Sequence, residues 1–170
     1  MNQKTASTET RTCLGLALTV VALIISGCGS PTSPSVPQVQ GLWKGFWVQQ
    51  TCTATGVYTA AGTCQFIQSG LLQLNLTQSG DTVQGTIGLG GLAVVPVSGQ
   101  IGANGLLTLN GQGTDVSQTN LITISDWHAM VNGASMTNCA FTCTTQLIHS
   151  SDSFVETATT SGNIVPGLAN

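Results

Sequence analysis

The chain has 170 residues, of which 5% are charged: three Lys or Arg against six Asp or Glu, for a formal charge of −3. Soluble domains ordinarily carry about 25% charged residues, and so few cations exclude a nucleic-acid binder that works by neutralising phosphates. An apolar fraction of 41% excludes a chain kept disordered by charge, and the length allows one domain with tails.

Residues 1–12 are polar and include Lys4 and Arg11. Leu14 to Ile25 is then apolar except for Gly15 and Thr19. A spanning helix needs about 20 apolar residues, so this shorter run reads as the core of an export signal over 1–27. The run ends in Ile25-Ser26-Gly27-Cys28, an aliphatic residue and two small ones before a cysteine. This tetrad resembles the lipobox of bacterial lipoproteins. The resemblance implies a diacylglyceryl group on the Cys28 thiol, cleavage before it, and further acylation. Two or more acyl chains, at about 0.8 kcal/mol per buried methylene, anchor a protein stably. Gly29 stands where, in the family's sorting rule, Asp would retain the protein at the inner membrane, so the resemblance favours the outer membrane.

Residues 28–40 hold Pro31, Pro34 and Pro37 among Ser, Thr and Gly, a composition that predicts an extended tether. From Gly41 the pattern changes to period two. Leu72, Leu74 and Leu76 alternate with polar residues, as do Val83, Gly85, Ile87 and Leu89, then Val95, Val97, Gly99 and Ile101, then Leu107 and Leu109. Such alternation marks strands buried on one face. Turn signals separate them at Ser79-Gly80-Asp81, Gly88 to Gly91, Gly102 to Gly105 and Asn132-Gly133. The expectation is an all-β antiparallel meander of seven or eight strands over 41–160. It closes into a small barrel that hides its edges, or alternatively forms a two-sheet sandwich. Residues 161–170 read as a loose tail, and no helical period rivals the alternation.

Three stretches carry a second resemblance: Gly41-Leu42-Trp43-Lys44-Gly45, Leu74 through Thr86, and Trp127 followed by Val131-Asn132-Gly133 and Met136. Over Gly41 to His149 the chain resembles the lipocalin-like and avidin-like meanders of many bacterial lipoproteins. The resemblance implies a barrel rather than an activity.

With Cys13 in the signal and Cys28 lipidated, Cys52, Cys64, Cys139 and Cys143 remain, an even number that reads as two disulfides in an exported domain. Cys52–Cys64 is the favoured pair, closing a Gly/Ala/Thr-rich loop, which leaves Cys139 with Cys143. Residues four apart on a strand lie about 13 Å apart, whereas a disulfide needs Cα atoms within about 7 Å. The second pair therefore requires a bend, or each thiol reaches across to Cys52 or Cys64. A four-cysteine zinc site is a further alternative, weakened by the absence of a CxxC knuckle.

No nucleophile elbow, paired-His metal motif or phosphate loop is present. Asp126 and His128, two apart, share a strand face. Ile122 and Ile124 inward would carry that pair inward. Trp127 inward, with Ala129 and Val131, leaves it on the surface, and this is the favoured reading. One strand satisfies both patterns only through a bulge. Trp43 and Trp47 share a face with Gly45 between them, while Phe46 takes the other. Trp43, Trp47 and Trp127 are either core anchors or a ligand-facing platform. The expected function is a lipid-anchored envelope protein that is not an enzyme, has no cofactor or metal, and binds a small neutral or apolar ligand. The alternative is a structural or protein-interaction module: a scaffold, an adhesin-like domain or an inhibitor. A barrel filled with large side chains favours the alternative, and a cavity reached past Trp43 or Trp47 favours ligand binding.

Overall fold

The computed structural model describes residues 35–91 and 93–167. The signal segment, Cys28 and the first part of the tether lie outside the described residues. The strands are β1 (Gly41–Ala54), β2 (Ser69–Ser79), β3 (Thr82–Leu89), β4 (Ala93–Ile101), β5 (Leu106–Thr114), β6 (Asn120–Asn132), β7 (Ser135–Leu147), β8 (Ser153–Thr160) and a two-residue β9 (Val165–Pro166). Among the described residues one short helix, α1 (Gly56–Ala60), follows β1.

Consecutive strands from β2 through β8 pair antiparallel, and β1 closes the ring between β8 and β2. Its first half pairs with β2, Gly41 opposite Leu76 through Val48 opposite Ser69. Its second half pairs with β8, Trp47 opposite Thr160 through Ala54 opposite Phe154. This offset is the stagger that a barrel needs to close. The result is an eight-stranded antiparallel barrel, with β9 pairing outside it on β1. The sandwich alternative does not occur.

The period-two residues point inward, as their alternation requires. Leu72, Leu74, Leu76, Val83, Ile87, Val95, Ile101, Leu107 and Leu109 are all buried. Closing so narrow a barrel brings neighbouring backbones close at particular positions. A Cβ added to Gly99 would lie 1.8 Å from the Thr108 carbonyl oxygen, and one added to Gly111 would lie 2.0 Å from that of Pro96. These glycines are sites of close backbone approach. Gly111→Ala is expected to destabilise the barrel by about 1–3 kcal/mol or more, because the clash is with backbone that cannot swing aside. A urea midpoint indistinguishable from wild type would contradict that close approach.

A bulge resolves the conflict between the two halves of β6. Ile122 and Ile124 are buried, and so are Trp127, Ala129 and Val131. The pairing with β5 shifts between Leu109 and Gly111, and Asp126 takes φ 52°. Asp tolerates this left-handed region better than most residues. The Asn110 side-chain carbonyl accepts the Asp126 N–H at 3.1 Å, holding the bulge. Both apolar runs therefore face the core.

The two ends of the barrel differ. At the closed end the chain enters through residues 36–40, with Val39 and Ile164 fully buried as plugs. Gln78 accepts the Val39 N–H at 2.7 Å and donates to Pro37 O, so the last tether residues are packed on the barrel. Trp43 donates its indole N–H to Val39 O at 2.8 Å. The expected loose tail from 161 is also ordered through Gly167. Ile164 exchanges two backbone hydrogen bonds with Met136, and Gly167 donates to Leu42 O. Burial of the Ile164 side chain is what holds it there. The other end, the mouth, is framed by α1, the segment leading to β2, and the β3–β4, β5–β6 and β7–β8 connections.

Candidate functional site

The mouth is organised by α1 and the segment after it. The Cys52–Cys64 disulfide, with a Cα–Cα distance of 5.4 Å, ties this segment to the end of β1. Tyr58 on α1 packs edge-on against Phe154, ring centroids 5.1 Å apart, and its hydroxyl hydrogen-bonds the Asn120 side-chain carbonyl. Gln68 and Gln49 lock the segment to β1: the Gln49 backbone N–H donates to Gln68 O, and the Gln68 backbone N–H to Gln49 Oε1, both at 2.8 Å.

Asp115 orders the β5–β6 connection. Its carboxylate accepts from the Thr119 and Asn120 backbone N–H groups at 2.9 and 3.0 Å and from Asn120 Nδ2 at 2.9 Å, and also from the Ser117 hydroxyl. These bonds, the one from Ser117 first, hold its carboxyl well below the usual carboxylate range. They also orient Asn120 toward Tyr58. The Tyr58 phenol is pushed upward, first by burial and then by the nearby charges of Asp115 and Asp152. The rim is thus acidic.

Inside this rim lies a cavity of about 190 Å³. Trp47, Leu89, Ala93, Ile122 and Phe154 give it apolar walls. Glu156, Cys143 and Thr145 project into it from β8 and β7. Trp47, Gln68 and Ala93 also border an open cleft over the Gly90-Gly91 turn.

Two buried polar atoms on residues that line this cavity lack a partner. Trp47 is 3% exposed, and its indole N–H, over Gly70, finds no acceptor. Glu156 is 5% exposed, and its Oε2 is likewise unpaired. Cys143 lies directly opposite on β7, and its thiol bears on the Glu156 carboxyl. Burial pushes the Glu156 pKa up, and the thiol contact only partly opposes this. Unpaired buried polar atoms are rare in folded proteins because each forfeits its hydration.

The Glu156 shift has a definite sign for stability. Below the ordinary Glu range, both folded and unfolded chains hold the proton. As pH rises through that range the unfolded chain releases its proton while the folded one retains it, so stability falls until the raised folded pKa is passed. Glu156→Gln is expected to abolish this loss and to be more stable than wild type at neutral pH. Asp115, whose folded pKa is lowered, slopes the opposite way and is common to both proteins. Urea midpoints at acidic and neutral pH check the difference. A variant less stable than wild type at pH 7 would show that the ionised carboxyl has a favourable partner.

Of the three tryptophans expected to face a ligand, Trp47 lines the cavity. Trp43 lies at the closed end, and Trp127 is fully buried midway along β6, its own indole N–H without an acceptor. Asp126 and His128 are exposed on the outer face. His128 Nδ1 lies 2.8 Å from the Asp126 backbone carbonyl, not its carboxylate, so the pair does not form a dyad.

Cys52–Cys64 forms as expected, but Cys139 and Cys143 are not disulfide-bonded. They lie on one continuous strand, both buried and inward, separated by Phe141 and by about the 13 Å that forbids a bridge. Their cross-strand neighbours are not cysteines. Burial pushes both thiols up to about 12, so they are poor nucleophiles. Alkylation mapped by peptide mass spectrometry is expected to miss Cys139 and Cys143 in folded protein and to label both in urea. Failure to label them in unreduced, unfolded protein would restore a second disulfide.

Fold and site together define a closed eight-stranded antiparallel barrel, plugged at one end, with a small, mostly apolar cavity at the other. Comparisons of the chain with protein-family models, with curated proteins and with solved structures return no match.

Proposed function

We propose that this chain is a lipid-anchored cell-envelope protein whose barrel holds a small, largely apolar ligand in its mouth without catalysing a reaction. The observation that carries the ligand reading is the 190 Å³ cavity lined by Trp47, Ile122 and Phe154. Pockets of this kind, apolar with a few convergent polar groups, are the usual form of a small-molecule site. An apolar cavity of about 150 Å³ already accommodates benzene. The lipobox-like Ile25 to Cys28 supports the anchor, and outer-membrane placement follows from Gly29 by the same resemblance. The described chain enters the barrel at its closed end, the end opposite the cavity.

Native mass spectrometry of protein purified from its own host tests the ligand reading. The expected result is a retained small-molecule adduct that disappears in Ala93→Phe, whose ring would fill the cavity. An adduct unchanged by Ala93→Phe would place the ligand elsewhere. The anchor has its own test: Cys28→Ser should leave the protein out of the membrane pellet, and a processed form that still sediments there would overturn lipid anchoring.

Exposed Phe66 and Ile67, on the segment beside the mouth, favour a second reading as a structural or protein-interaction module. That reading predicts a crosslink to another envelope protein in intact cells, lost in a Phe66→Ser, Ile67→Ser double variant. Loss of the crosslink with the adduct retained would make the surface, rather than the cavity, the interaction site.

A further inference from the structure

We propose that the mouth cavity takes a small organic cation, an ammonium group on an apolar body, paired with the Glu156 carboxylate and flanked by the Trp47, Tyr58 and Phe154 rings. This rests on the ligand-binding reading above and specifies its chemistry. It departs from the neutral ligand that composition alone suggests.

Among the described residues, Glu156 lacks a counter-ion within the fold. It is 5% exposed, its Oε2 has no hydrogen-bond partner, and it projects into the cavity. A buried carboxylate is tolerated when a positive charge or several donors meet it. No Lys, Arg or His lines the cavity. Among the described residues Lys44 is the one Lys or Arg, and it lies near the closed end, where β9 pairs with β1. His128 and His149 are exposed. The fold therefore supplies no counter-ion, although a Gln or Leu at this position would avoid the cost of burying a carboxyl.

The remaining groups around the carboxyl are those that attract a cation. Asp115 lines the cavity, and Asp152 lies close enough to act on the Tyr58 hydroxyl. Cys143, from β7, is held as the neutral thiol. Aromatic faces attract ammonium groups through the ring quadrupole, and three aromatic residues border this site. A ligand with only a neutral acceptor would leave Glu156 Oε2 without a partner whenever the carboxyl is ionised. A cation answers Glu156 and the acidic rim at once.

Benzylamine and benzyl alcohol form a nearly isosteric pair that differs in charge at pH 8, and both suit the cavity's size. Titrated into the full chain in detergent micelles, each is followed through the indole N–H resonances of the three tryptophans. The expected result is a shift of the Trp47 resonance, with benzylamine binding about tenfold or more tightly than benzyl alcohol. In Glu156→Gln that advantage should shrink to about twofold or less while the alcohol still binds. Equal binding of the two probes to wild type, or a benzylamine advantage that survives in Glu156→Gln, would overturn the cation proposal and leave the cavity a ligand site. Failure of both probes to move the Trp47 resonance would overturn the ligand-binding reading with it.

Discussion

Truncating Trp127 to alanine is expected to destabilise the barrel by about 3–5 kcal/mol, the usual cost of removing a large aromatic side chain from a core. Trp127 is fully buried midway along β6 and is among the largest fully buried side chains of the described residues. Its place depends on the Asp126 bulge, which turns Trp127, Ala129 and Val131 toward the same interior as Ile122 and Ile124. A domain of this size has about 5–15 kcal/mol in all, so the loss is a large share of it. With a urea slope of about 2 kcal/mol/M, the midpoint should fall by about 2 M. Trp127→Phe keeps most of the volume and removes the indole N–H that has no acceptor. It should therefore cost far less, within about 1.5 kcal/mol. Equal costs for the two variants would mean that the indole nitrogen, and not the volume, matters at this position.

Opening the Cys52–Cys64 disulfide, by Cys52→Ser with Cys64→Ser, is expected to cost about 3 kcal/mol, as constraint on the unfolded chain is lost. The local consequence is equally specific. No residue of α1 is buried, so the helix depends on the disulfide and on Tyr58 for its place. The amides of Ala61, Gly62 and Thr63, which donate to Val57 O, Thr59 O and Tyr58 O, should exchange faster in the double variant. The amides of β5 and β6 should follow only the global change. Unchanged exchange over 57–65 would show that Tyr58 and the Gln49–Gln68 pairing hold the rim without the disulfide.

The alternation of β2 to β5 was legible in the sequence because each of those strands has one uniformly apolar face. The conflict inside Ile122 to Val131 was legible too, since no straight strand places both apolar runs inward, and the bulge at Asp126 is what that conflict demands. Other features left no such mark. In β8, Phe154, Glu156 and Ala158 face inward while Val155 and Thr157 face out. Neither set is clearly apolar, so the face holding Glu156 is set by the register with β7 and β1. The β7 cysteines misled because an even cysteine count suggests pairing, whereas strand geometry keeps Cys139 and Cys143 apart. The five residues of α1 are too few to show a helical period and are held by contacts distant in sequence. Ile164 reads as part of a tail because its partner, Met136, is far along the chain.

The barrel is packed at its plugged end and through its middle and is hollow at its mouth. Crystals equilibrated under xenon pressure test it directly, since xenon occupies apolar cavities large enough to hold it. Xenon is expected among Leu89, Ile122 and Phe154, beside Trp47, with none around Trp127 or Trp43. A mouth without xenon, or xenon lodged beside Trp127, would contradict this arrangement of packing and cavity.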